Sequence, residues 1–167
     1  MNIHEYQAYN ILNKYGIATL EYGVATTEEE VHEIIRSLHL TDAVIKAQAH
    51  TGGRGKGGGV KTASGSQDIL AKAKEILGMT LVTKQTGSEG LPVNKVMITR
   101  PASIAHEYYI AATIDRKRGT PIIIASPEGG MDIEEIAATK PEKILATPFS
   151  RDGSIKMFQL RNIALFM

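Results

Sequence analysis

"AQAHTGGRGKGGGVKT", residues 47–62, holds six glycines and three cations in sixteen residues, and Gly53, Gly55 and Gly58 satisfy G-x-G-x-x-G. A Walker A loop needs G-x-x-x-x-G-K followed by Ser or Thr. Here Gly55-Lys56 is followed by Gly57, and His50 occupies the position five before Gly55, so that reading fails. A Rossmann turn needs a helix to open at the glycines, so that its first amides meet a pyrophosphate. "GGVKTA" is instead strand-like, and no acidic residue stands at the expected spacing. Two readings remain. One is a glycine-rich hairpin folded over a nucleotide, where the absence of Cβ lets backbone amides approach phosphate oxygens and Arg54 and Lys56 add charge. The other is a solvated loop with no ligand.

The preceding stretch, "DAVIKAQA", is short, apolar and partly β-branched, which predicts a strand leading into the glycines. Alternation puts Lys46, Gln48 and His50 on one face and Ala43, Ile45, Ala47 and Ala49 on the other. A lysine in such a strand needs an anion if it is buried. It is either a phosphate ligand or an edge-strand lysine facing water.

Working outward, "NIHEYQAYNILNKYG" predicts a helix from about residue 3 to 15, with Asn2 and Glu5 as a capping pair and Gly16 as its stop. An extended piece near Thr19 to Val24 leads to a second helix in "TTEEEVHEIIRSLHL", capped by Thr27 with Glu30 reaching back. "SGSQDILAKAKEILG" predicts a helix closed by Gly78, and "KVMIT" a strand. Arg100, Pro101 and Ala102 form a connector. "HEYYIAATIDRKRGTPIIIAS" alternates and turns at Lys117 to Thr120, a second hairpin. Glu107 begins its polar face. "DIEEIAA" is a short helix started by Asp132. In "KMFQLRNIALFM", Leu160, Ile163, Ala164 and Met167 stand at helical spacing up to the last residue, which is read as a fragment cut within a longer protein. The fold class is α+β.

Composition narrows the function. A chain of 167 residues with 43% hydrophobic and 22% charged residues is an ordinary globular protein. A net charge of +1 gives no bulk attraction to nucleic acid or membrane, so affinity for phosphate has to come from local clustering. The absence of cysteine excludes disulfides, thiolate metal sites and a cysteine nucleophile. No apolar run approaches the roughly 20 residues that cross a bilayer, and a cytoplasmic compartment is the expectation. His50 and His106 have no metal-ligand spacing.

Taken together, "MNIHEYQAYNIL", "VIKAQAHTGGRGKGGGVK", "SIAHEYYIAATIDRK" and "EGGMDIEEIA" resemble the N-terminal part of the β subunits of succinyl-CoA synthetase (succinate-CoA ligase), which are ATP-grasp enzymes. The likeness is nearly collinear from Met1 to Met167 and is most specific in A-x-x-G-G-R-G-K-x-G-G-V-K. It implies an ATP-grasp nucleotide-binding fold of two small α+β subdomains clasping a purine nucleotide. The first would span about 20–100, with the glycine-rich hairpin; the second would take 1–19 plus 101–167. The C-terminal CoA-ligase domain would be absent. Lys46, Gly53, Arg54, Gly55 and Glu107 would be nucleotide contacts, with Thr99 and Ala102 on the connector beside the base.

The family's pattern is broken at one place. Many relatives carry an acidic residue just before the connector, where this chain has Thr99, Arg100 and Pro101. Main-chain contacts to the base survive that change; a carboxylate contact does not.

The implied activity is the interconversion of succinyl-CoA, phosphate and a nucleoside diphosphate with succinate, CoA and the triphosphate, in the tricarboxylic acid cycle. It runs through a phosphohistidine on an α subunit, the implied partner, which also holds the CoA site. ATP and ADP, or GTP and GDP, are the implied nucleotides. Mg2+ would be held by an Asn and an Asp beyond residue 167, so no catalytic or metal-ligating residue is expected here and the fragment would be inactive alone. The alternatives are a related acyl-CoA ligase, such as malate-CoA ligase, and a non-catalytic nucleotide-binding module.

Overall fold

The computed structural model describes residues 3–130 and 132–167, and the chain divides into two compact units, Met1–Ala102 and Ser103–Met167. Among the described residues no helix is long and apolar enough to cross a membrane.

The first unit is built on α1 (Glu5–Lys14), β1 (Tyr22–Ala25), α2 (Glu28–Ser37), β2 (Asp42–Ala47), β3 (Val60–Ser64), α3 (Ser66–Ile76), β4 (Thr80–Leu81), β5 (Leu91–Pro92) and β6 (Val96–Thr99). Four strands form an antiparallel sheet in the order β1-β6-β2-β3. The period-2 pattern of β2 sends Ala43, Ile45 and Ala47 into a core shared with Val31, Ile35, Ile69, Ala73 and Ile76 of α2 and α3. The opposite face carries Lys46, in register with Met97 and Val60, and Thr99, in register with Tyr22 and Val44. Helix α1 lies over this second face.

The N-terminus of α2 forms as its sequence dictates: Thr27 Oγ1 accepts from the Glu30 N–H at 3.3 Å, and the Glu30 carboxylate accepts from the Thr27 N–H at 3.3 Å. At α1 the outcome differs. Asn2 lies outside the described residues, and the His4 N–H donates to Gln7 Oε1 at 2.8 Å. Gln7 takes the role expected of Glu5, whose carboxylate points elsewhere. The resemblance groups residues 1–19 with 101–167; in this structure residues 3–19 lie with the first unit. Tyr22 Oη holds α1 there through the Tyr6 carbonyl at 3.2 Å and Asn10 Oδ1 at 2.7 Å.

The second unit has β7 (Tyr109–Asp115), β8 (Thr120–Ser126), α4 (Ile133–Thr139), a short 3-10 turn (Pro141–Lys143), β9 (Leu145–Pro148) and α5 (Met157–Phe166). Its antiparallel sheet runs β7-β8-β9. The β7-β8 turn is closed by Asp115, whose Oδ1 accepts from the N–H groups of Lys117 and Arg118 at 2.9 and 3.2 Å. Asp132 stands at the N-cap of α4. Strands β4, β5 and β9 have no counterpart in the sequence reading. The first two are two residues long, too short for any periodicity, and β9 ends in a proline.

Candidate functional site

Strand β2 is flanked by β6 and β3, so Lys46 is not an edge-strand residue and the water-facing reading is overturned. Its side chain is only 22% exposed, and the anion it needs comes from the same chain: Nζ donates to Glu5 Oε1 at 2.9 Å. Arg54 reaches the same carboxylate, Nη2 to Glu5 Oε2 at 2.7 Å, and braces itself through Nη1 to the Ala47 carbonyl at 2.8 Å. Glu5 therefore holds one cation with each oxygen. Burial pushes the Glu5 carboxyl up, but the Lys46 hydrogen bond and the charges of Lys46 and Arg54 outweigh it, and the group sits below its ordinary value of 4.5.

Arg54 reaches this position because the glycine run is folded. Residues 54–58 form a turn in which the Gly57 N–H donates to the Gly53 carbonyl at 3.1 Å and the Gly59 N–H to the Arg54 carbonyl at 2.8 Å. Gly53 has φ +71°, where a side chain would be strained. Gly57 packs so closely that an added Cβ would lie 2.7 Å from the Val82 carbonyl oxygen. The requirement at Gly55 is different: its φ is ordinary and a Cβ there would meet nothing within 4 Å. Outside the turn, the Gly52 N–H donates to Gln85 Oε1 at 2.7 Å, and the Thr51 and Thr83 hydroxyls share a hydrogen bond of 2.7 Å. The loop is ordered by the segment after β4.

Beside the turn lies an open cavity of about 570 Å³ within the first unit, lined by His4, Glu5, His50, Thr51, Arg54 and Gln85 among others. The His4 and His50 rings stack at 4.0 Å. Burial, the neighbouring His50, and the charges of Lys95 and Arg54 hold His4 below its ordinary value, which favours the neutral imidazole.

The structure thus brings Lys46, Gly53, Arg54 and Gly55 into one neighbourhood. Thr99 is the last residue of β6, not part of the connector, and its side chain is fully buried with an Oγ1 that has no hydrogen-bond partner among the described residues. Ala102 is exposed at the end of the first unit. Glu107 belongs to the second unit. There its carbonyl accepts from the Gly129 N–H at 2.9 Å, and Gly130 lies so close that a Cβ would sit 2.2 Å from Glu107 Oε2. Glu5, read from the sequence only as a capping residue, and Gln85 are groups of this neighbourhood that the sequence did not assign to it. No local pattern marks Glu5, since its partners stand 41 and 49 residues away.

The chain is 44% identical over 167 residues to a protein named succinate-CoA ligase [ADP-forming] subunit beta from Chlamydia felis, covering all of this chain and 43% of that protein. A protein of the same name from Bdellovibrio bacteriovorus is 46% identical over 164 residues, covering 98% of this chain and 42% of the relative. The chain spans less than half the length of these curated relatives. Among solved structures, a dinucleotide-forming acetyl-coenzyme A synthetase 1 from Ca. Korarchaeum cryptofilum superposes with a TM-score of 0.71 at 18% identity, covering 97% of this chain and 65% of that one. The last likeness speaks to fold alone. The profile of the ATP-grasp domain family matches residues 2–167, and the chain belongs to that family.

Proposed function

We propose that the chain is the nucleotide-gripping part of a succinate-CoA ligase β subunit, with Lys46 and Arg54 as the cations that receive the phosphates. The observation that carries this reading is their convergence, from a central strand and a glycine turn, on one carboxylate. Two cations arranged around an anion form a seat of the right charge and spacing for phosphate oxygens. Gly53 and Gly55 supply close backbone approach, and the openness at Gly55 explains a glycine that neither packing nor φ demands.

Phosphoryl transfer is mainly positioning and charge neutralisation, so these groups act as electrostatic clamps with no covalent role. Glu107 is assigned to accept a hydrogen from the ribose or the base amino group, and the main chain near Thr99 and Ala102 to meet the base. Two lobes follow the division at Ala102. Among the described residues no group of three His, Asp or Glu side chains is placed to hold a metal. A magnesium ion that enters with a nucleotide takes only one or two protein carboxylates and completes its shell with phosphates and water, so it would be held together with the nucleotide, and no step is assigned to the metal. Succinyl-CoA, phosphate and nucleoside diphosphate are the substrates of the complete enzyme on this reading, with an α subunit as partner carrying the phosphohistidine. The compartment assigned is the cytoplasm.

The test is titration of ATP, ADP, GTP and GDP with magnesium against wild type and Lys46→Ala. The wild type should bind a purine nucleotide and Lys46→Ala should bind it about tenfold or more weakly. Absence of binding, or equal affinity in the variant, overturns the assignment.

A further inference from the structure

We propose that Glu5 is an internal stand-in for phosphate: it occupies the seat between Lys46 and Arg54, and an incoming polyphosphate has to displace it and release the first turn of α1. This rests on the reading that Lys46 and Arg54 receive phosphate. Both carboxylate oxygens are engaged, one per cation, and all three side chains are three-quarters buried or more. The three charges sum to +1, too little to hold a nucleotide polyphosphate beside a retained carboxylate. A phosphate close enough to bond either cation stands within a few ångström of the Glu5 oxygens, where like charges in a partly buried site repel about as strongly as the cations attract. Exchange of one anion for another removes that conflict.

Helix α1 is held in a way that permits the exchange. None of its residues is buried. Apart from Glu5, it is tied to the sheet by the Tyr22 hydroxyl, by the edge contact of Tyr9 with Tyr22, and by the Tyr6 N–H, which donates to Gln48 Oε1 at 3.3 Å. All of these lie beyond Glu5 along the helix; before it, the N-cap His4 stacks on His50, so release of the first turn breaks that stack while the rest of the helix stays docked.

Glu5→Gln keeps the shape of the side chain and one acceptor oxygen while removing the charge. Titrating Mg·ATP and inorganic pyrophosphate into the full chain should show about tenfold tighter binding for Glu5→Gln than for wild type, and loss of affinity in Lys46→Ala. If Lys46→Ala loses affinity while Glu5→Gln binds equally or more weakly than wild type, the stand-in role is wrong and the phosphate seat survives. If Lys46→Ala binds like wild type, the seat itself is wrong and the stand-in role falls with it. A second measurement needs no variant, and it decides alone should Glu5→Gln fail to fold. Amide exchange at residues 5–8 of wild type should accelerate on saturation with Mg·ATP while residues 9–14 stay protected; unchanged or slowed exchange at residues 5–8 overturns displacement.

Discussion

Glu5 and Arg54, 49 residues apart in sequence, meet at 2.7 Å between Oε2 and Nη2, and the contact ties the first turn of α1 to the glycine turn. The Glu5 carboxyl titrates below its ordinary value of 4.5 in the folded chain, so the unfolded chain binds its proton more readily. The stability that Glu5 contributes is therefore fully present above about pH 4.5 and is lost as pH falls through the lower, folded value. Comparing thermal unfolding of wild type and Glu5→Gln from about pH 7 to about pH 3, we expect wild type to be more stable at neutrality and the gap to narrow in acid. A gap of about 1–2 kcal/mol is expected at neutrality, as befits a pair that still touches solvent. A gap that widens in acid contradicts the charge assignment.

The contrast between Lys46 and Glu5 shows what could be read in the sequence. Lys46 was visible because it interrupts an apolar alternating strand, a local anomaly that predicts a compensating anion. The anion's identity was not visible, because Glu5 satisfies every local expectation of a first-turn helix residue and its partners are fixed by the sheet. The same division holds for the fold. Helices and strands with a clear period, such as α2 and β2, were legible. Strands β4, β5 and β9 form through pairing with distant segments and have too few residues to show alternation. The position of α1 over the Lys46 face depends on Tyr22 and Gln48, neither of which marks a helix-docking site in sequence. The alternation in "KVMIT" carries the strand through Thr99, as its pairing with Tyr22 and Val44 does, whereas the resemblance alone had set Thr99 on the connector.

Gly57 and Gly55 separate loop stability from ligand approach. A Cβ at position 57 would press on the Val82 carbonyl oxygen at 2.7 Å, which is backbone and cannot rotate away. Gly57→Ala is expected to cost about 1–3 kcal/mol in denaturant unfolding. Gly55→Ala should change stability by no more than about 0.5 kcal/mol, since its Cβ meets open space. On the proposed function, however, it should weaken Mg·ATP binding about tenfold by filling the phosphate's approach. Similar losses of stability in both variants would show that Gly55 serves packing instead.

Gly130 sets the position of Glu107 within the second unit. Its φ of +68° already disfavours a side chain, and the added Cβ would overlap Glu107 Oε2 at 2.2 Å. Gly130→Ala is expected to destabilise by about 1–2 kcal/mol and to displace the carboxylate. If Glu107 contacts nucleotide, Gly130→Ala and Glu107→Ala should weaken binding to similar degrees, and the double variant should be no worse than the weaker single one. Additive losses measured by titration calorimetry would mean that Gly130 acts on something other than Glu107.

The hydroxyl of Thr99 is buried on the α1 side of the sheet without a hydrogen-bond partner among the described residues, and a polar group in that state opposes folding. Valine matches threonine in shape and removes the unsatisfied oxygen. Thr99→Val should therefore raise stability by about 1 kcal/mol, read as a higher thermal midpoint. Nucleotide affinity should stay within about twofold, because any contact that Thr99 makes with a base runs through its main chain, which the substitution leaves in place. Loss of affinity in a variant that folds more stably would place the hydroxyl in the binding site after all, and would require β6 to open around it when ligand enters.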